Sequence, residues 1–192
     1  MSLIPAQITA PVLPRRRQLL FGTAFACVAA SMFLLALVGA YLEARSGSRA
    51  TWLADNVIPL TQPVMQLATL LMGAITAQWA VWAVARNERG QAYLALGITL
   101  LMGLAFLNQT TFLWERVGLS MSQPEGPYFY AVTGGHFAMV VAAVLFLLLM
   151  AVRALGGQYS ASLPDGLSAA AMFWHVTTAL YSVIWLAVYV MK

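Results

Sequence analysis

Gly126-Pro-Tyr-Phe-Tyr-Ala-Val-Thr-Gly-Gly-His136-Phe-Ala-Met-Val-Val-Ala-Ala-Val-Leu-Phe-Leu-Leu-Leu-Met-Ala-Val152 contains no Asp, Glu, Lys or Arg. A helix rises about 1.5 Å per residue and the hydrocarbon core of a bilayer is about 30 Å thick, so this stretch crosses a membrane as one helix. Four more stretches share the property: Gln18 to Leu42, Asn56 to Ala85, Gly90 to Trp114 and Gly166 to Met191. Every charge lies between or outside the five. Hydrocarbon offers no partner to exposed backbone polar groups, which leaves helices or closed barrels as spanning forms. These runs are too long and too continuously apolar for barrel strands, which alternate over roughly ten residues. The expectation is an all-α polytopic membrane protein, a five-transmembrane-helix bundle with spans of about 18–42, 59–85, 91–114, 128–152 and 168–191. An extended arm, residues 1–17, precedes it and carries Pro5, Pro11, Pro14 and the run Arg15-Arg16-Arg17.

The bulk composition agrees. Of 192 residues, 61% are hydrophobic and 8% charged, so little remains for a water-soluble domain. The net charge of +4 is not read as a nucleic-acid surface, because three of the ten positive charges are the arginine run at the foot of the first span. That is where positive charge sets orientation. Assigning Lys and Arg to alternate sides gives six (Arg15, Arg16, Arg17, Arg86, Arg89, Arg153) against four (Arg45, Arg49, Arg116, Lys192). The N-terminus is therefore expected in the cytoplasm and the C-terminus on the opposite side. The first span is about twice as long as the 7–15-residue apolar core of a signal peptide and ends in Tyr41-Leu42-Glu43, so it is expected to stay attached. Cys27 is the only cysteine, which rules out an internal disulfide and suits a small packing residue.

Polar side chains within the spans need partners away from water. They are Gln62, Gln66 and Gln78 in the second span, Asn108, Gln109, Thr110 and Thr111 in the third, and Thr177 and Thr178 in the fifth. Hydrogen bonding between helices is their expected role. No acid lies mid-span, no inverted repeat is evident and the span count is odd, all of which disfavour a transporter. The two histidines, His136 and His175, each fall some nine or ten residues into their spans. Because neighbouring spans run antiparallel, a rise of about 14–15 Å from opposite faces puts both near mid-bilayer. Two such imidazoles can ligate one b-type haem, or can simply hydrogen-bond to neighbouring helices or lipid. A zinc site lacks adjoining Cys, Asp or Glu ligands. Small residues recur at helical spacing, as in Gly22, Ala26 and Ala30, in Ala36 and Ala40, and in Gly73 and Ala77, as ordinary helix packing requires.

Two segments carry a family resemblance. Phe173-Trp174-His175-Val176-Thr177-Thr178-Ala179-Leu180-Tyr181, running on to Tyr189, resembles the final helix of subunit III of haem-copper terminal oxidases, where Trp-His-Phe and an Asp precede aromatic and aliphatic residues. Thr133-Gly134-Gly135-His136 resembles that family's Thr-Gly-x-His motif in the preceding helix. Tyr41-Leu-Glu-Ala-Arg45 is similar to the end of the first helix in the short, five-helix bacterial members, and Gln109 stands where their third helix often has Gln. The resemblance runs from about Gln18 to the end of the chain. It implies a non-catalytic subunit of a respiratory oxidase in the bacterial cytoplasmic membrane, packed beside subunits I and II and against phospholipid. It also implies no cofactor in this chain, with haem and copper in the partner subunits. His136, Trp174 and His175, with Gln109 and Thr133, are the implied structural or lipid-binding residues.

The chain departs from the family where acids are usual. Ala30 stands for a Glu in the first helix, Phe112 for a Glu after the Gln, Met139 for a second His, and Thr178 for the Asp after Trp-His. A scaffold role survives these changes, since packing tolerates apolar substitution, whereas a role for those acids in proton collection does not. Two alternatives stand beside this reading: a subunit III-like accessory protein of nitric oxide reductase, and a small membrane cytochrome with haem b between His136 and His175.

Overall fold

The computed structural model describes residues 16–47, 52, 58–159 and 165–191. The arm's prolines, Arg15, Arg49 and Lys192 lie outside these residues. Five helices, α1 (Arg16–Gly47), α2 (Thr61–Ala85), α3 (Arg89–Val117), α4 (Gly126–Leu155) and α5 (Asp165–Ile184), follow in order, and α5 runs into a π-helical segment, Trp185–Val190. Each is long and apolar enough to cross a membrane, α5 together with its π segment. The helices overrun the expected spans where charge begins. α1 takes in Arg16 and Arg17 at one end and continues to Gly47 at the other. Leaving the hydrocarbon does not end a helix, because its backbone bonds stay satisfied, and a membrane with headgroups is about 40–45 Å thick.

The ends are set by local chemistry. Pro63 sits in the first turn of α2 and Pro127 in that of α4, where the missing N–H would have had no intrahelical partner. Gly118 ends α3 in the left-handed conformation (φ 59°), its N–H donating to Trp114 O at 3.2 Å. Asn87, with φ 58°, turns the chain between α2 and α3, and the Glu88 N–H donates to Ala83 O at 2.9 Å. Asn tolerates this region better than other side chains. The turn lays α3 directly against α2, and these two form the most extensive helix pair. α5 packs on α1, α2 and α4, while α3 closes on α4 and α1 on α4.

Between α2, α3 and α5 the packing is built on small residues. Gly73, Ala77, Ala80 and Ala83 of α2 are buried, as are Ala92, Ala95 and Gly103 of α3. Trp174 of α5 is fully buried against two bare backbones. A Cβ on Gly73 would lie 2.6 Å from its ring, and one on Gly103 would lie 3.1 Å from it and 2.5 Å from Val144. Lipid tails are as apolar as a protein core, so this fit and the bonds below, rather than exclusion from water, hold the helices together. The stripe Gly22, Ala26, Ala36 and Ala40 of α1 behaves differently and faces out of the bundle. Large apolar side chains also point outward, among them Phe25 (75% exposed) and Ile75 (71%), as a lipid-facing surface requires.

At the far end of α4, Tyr159 is buried and its hydroxyl donates to Met150 Sδ at 2.8 Å. Burial pushes this phenol up, with Arg153 beside it acting in the opposite direction.

Candidate functional site: a ring of interhelical bonds

The five residues singled out by sequence do not converge on one point. Each makes one polar contact between two helices, and the contacts run in a circuit. Gln109 of α3 donates from Nε2 to Thr69 Oγ1 of α2 at 3.2 Å. Thr133 of α4 accepts from Trp114 Nε1 of α3 at 3.0 Å, while its own hydroxyl donates to Phe129 O. His136 of α4 meets Thr177 O of α5 at 2.9 Å. Trp174 Nε1 of α5 donates to Leu70 O of α2 at 3.4 Å, and His175 Nε2 lies 3.2 Å from Gln78 Oε1, also of α2. The circuit α2, α3, α4, α5 and back to α2 is closed by side chains within the spans.

Within the circuit lies a denser cluster. Tyr181 donates to Gln66 Oε1 at 2.6 Å, and Gln66 Nε2 donates to Thr110 Oγ1 at 2.9 Å, joining α5, α2 and α3. His136 sits beside it, its ring centre 5.4 Å from that of Phe106 and 5.1 Å from that of Tyr181. Gln66, Thr110, Thr133, His136, Tyr181 and Tyr189, with Phe106 and Ile184, line a cavity of about 10 Å³. That is about the smallest space that holds one water. Gln66 and Thr110 were visible in the sequence as polar residues within spans. Tyr181 carried no such mark, because tyrosine is also common in apolar cores.

The geometry does not fit a haem between the histidines. A carbonyl oxygen only accepts, so His136 Nε2 carries a proton toward Thr177 O, which leaves Nδ1 as the one ring nitrogen with a lone pair. His175 turns away to α2, and the cavity beside His136 has no room for a porphyrin. Among the described residues no group of three or more His, Cys, Asp or Glu side chains is placed to hold a metal ion.

The Tyr41 to Arg45 motif docks the end of α1 on the last turn of the chain. Tyr41 is buried, meets Trp52 edge to face at 5.4 Å and accepts its Nε1–H at 3.3 Å. One turn on, Arg45 Nη1 donates to Ala187 O of the π segment at 3.3 Å. The wider coil there leaves Met191 N–H bonded five residues back, to Leu186 O. The positions where acids were expected are apolar or satisfied. Met139 is buried with Leu34 and Leu180 in a cluster against which Ala30 also packs, so two of the substitutions share one α1–α4–α5 seam. Thr178 is buried and donates to Trp174 O at 3.0 Å, and Phe112 lies at the surface beneath the Arg116 guanidinium, 5.0 Å away.

The family model for cytochrome c oxidase subunit III matches residues 14–192. The chain is similar to cytochrome c oxidase subunit 3 of Paracentrotus lividus, 29% identical over 146 residues, 73% of this chain and 54% of that one. The protein of the same name from Branchiostoma lanceolatum is 31% identical over 146 residues, 73% of this chain and 53% of that one. That of Spodoptera frugiperda is 27% identical over 132 residues, 68% of this chain and 90% of that one. The chain spans about half the length of the first two of these relatives. With a match across nearly its whole length and a five-span bundle in which both motif segments make interhelical bonds, the chain belongs to the cytochrome c oxidase subunit III family.

Proposed function

We propose that this chain is the non-catalytic subunit III of a respiratory haem-copper oxidase in a bacterial cytoplasmic membrane, with its N-terminus in the cytoplasm. The family match over residues 14–192 carries the reading. The residues support it in a specific way: the polar groups inside the spans are mostly spent on one another, which suits a scaffold rather than a reaction centre. Haem and copper belong to subunits I and II, which pass electrons to oxygen and move protons. This chain packs laterally against the catalytic subunit and presents an apolar outer surface to phospholipid. His136, Trp174 and His175, with Thr133 and Gln109, keep its helices in fixed register.

Purification of the native complex through a tag on this chain, in mild detergent, tests the proposal. Mass spectrometry is expected to find haem-copper subunits I and II with the chain, and the haem spectrum is expected to leave when they are stripped away. Co-purification with nitric oxide reductase subunits, or a haem signal retained by the chain alone, would refute it.

A further inference from the structure

Asn108, unlike Gln66, Gln78, Gln109 and Thr110, does not turn to a partner on a neighbouring helix. It stands on α3 in an outward stripe, Leu94, Gly97, Leu101, Leu104, Asn108 and Thr111, all exposed. The Thr111 hydroxyl is satisfied by its own helix, donating to Asn108 O at 2.9 Å. Neighbouring Gln109 is drawn toward Thr69. The Asn108 carboxamide meets no hydrogen-bond partner among the described residues. Its depth disfavours water as the partner. The helix rises about 28 Å from Arg89 to Asn108 and about 13 Å more to Val117, which leaves the amide inside the hydrocarbon. Acyl chains offer no hydrogen-bond partner, and polar side chains at such depth turn to protein.

Two further features of the stripe suit a helix as its occupant. A Cβ on Gly97 would meet nothing within 4 Å, so the bare backbone is open to close approach by another helix. Glu115 continues the exposed stripe two turns above Asn108, and Arg116 is turned onto the Phe112 ring. Two copies paired about an axis along the membrane normal would set Glu115 against Glu115, which opposes self-association.

We infer that the outward α3 stripe from Gly97 to Thr111 seats a transmembrane helix of the catalytic subunit, which offers a hydrogen-bonding group to the Asn108 carboxamide. The inference rests on the subunit reading above and adds the contact face. Single cysteines at Leu101→Cys and Leu104→Cys, in a Cys27→Ser background and carrying a short photoreactive cross-linker, test it in native membranes. Leu145→Cys on α4 and Phe25→Cys on α1, both well exposed, serve as comparison positions. The stripe positions are expected to cross-link to the catalytic subunit and the comparison positions to lipid. Lipid alone at the stripe, or this chain cross-linked to itself, would overturn the inference.

Asn108→Leu gives a second readout. An interhelical hydrogen bond of ordinary strength makes dissociation from the solubilised complex about 3-fold more favourable when lost, and a strong one about 20-fold. Asn108→Gln is expected to recover part of the loss. If the wild-type chain retains the catalytic subunit while Asn108→Leu is held as firmly and the stripe does not cross-link, the contact face is wrong and the subunit reading stands. If the wild-type chain brings no oxidase subunit, both fall.

Discussion

Tyr181 and Trp185 differ in whether their polar atom is paired. Tyr181 donates to Gln66 at 2.6 Å, so Tyr181→Phe leaves a buried amide oxygen without its partner. Trp185 is the opposite case, since its Nε1 is buried and has no hydrogen-bond partner among the described residues. Hydrogen bonds between membrane helices average about 0.6 kcal/mol and reach about 1.7. Tyr181→Phe is expected to cost within this range, and Trp185→Phe to cost nothing or to stabilise, because it removes an unpaired donor. Thermal unfolding of the solubilised complex checks the pair, and equal losses would contradict the assignment. The histidines divide in the same way. His136 is buried and bonded to the α5 backbone, whereas His175 is only partly buried beside Gln78. His136→Leu is therefore expected to speed loss of the chain from the complex more than His175→Leu does, with both variants inserting at wild-type levels. A chase in mild detergent followed by immunoblotting measures the two rates.

At the scale of the helices, Gly73 marks where the α2–α5 contact is tightest. A Cβ there meets the Trp174 ring, which is rigid and held at Leu70 O, so neither side yields easily. Gly73→Ala is expected to destabilise the bundle by about 1–3 kcal/mol, as overpacked cores do. Gly22→Ala is expected to be silent, because that position opens outward. The contrast shows what sequence can and cannot convey in a membrane. Gly73 and Ala77 lie in an interface, whereas Gly22, Ala26, Ala36 and Ala40, with the same spacing, face outward. The spans themselves were legible from runs without charge, since hydrocarbon excludes charge. The faces were not, because core-facing and lipid-facing residues are equally apolar. The helices run on beyond the charge-free runs: α1 continues past Leu42 to Gly47, as a helix needs no hydrocarbon to keep its bonds. The Trp-His and Thr-Gly-x-His segments pointed to residues that bond between helices. Their partners, the Leu70 carbonyl and Gln78 for Trp174 and His175, and Trp114 and the Thr177 carbonyl for Thr133 and His136, lay on other helices and depended on helix rotation.

For the whole molecule, the circuit of bonds through α2, α3, α4 and α5 and the docking of α1 through Arg45 describe a body built to hold its shape in lipid. In the role proposed above, such a body would contribute to an oxidase by contact rather than by chemistry. The direct measurement is oxygen consumption by the purified complex before and after selective removal of this chain, followed over many turnovers with the visible spectrum recorded throughout. An unchanged haem spectrum and near-normal initial turnover are expected, with activity then decaying faster than in the intact complex. Immediate loss of oxygen reduction, or loss of haem with the removed chain, would contradict it.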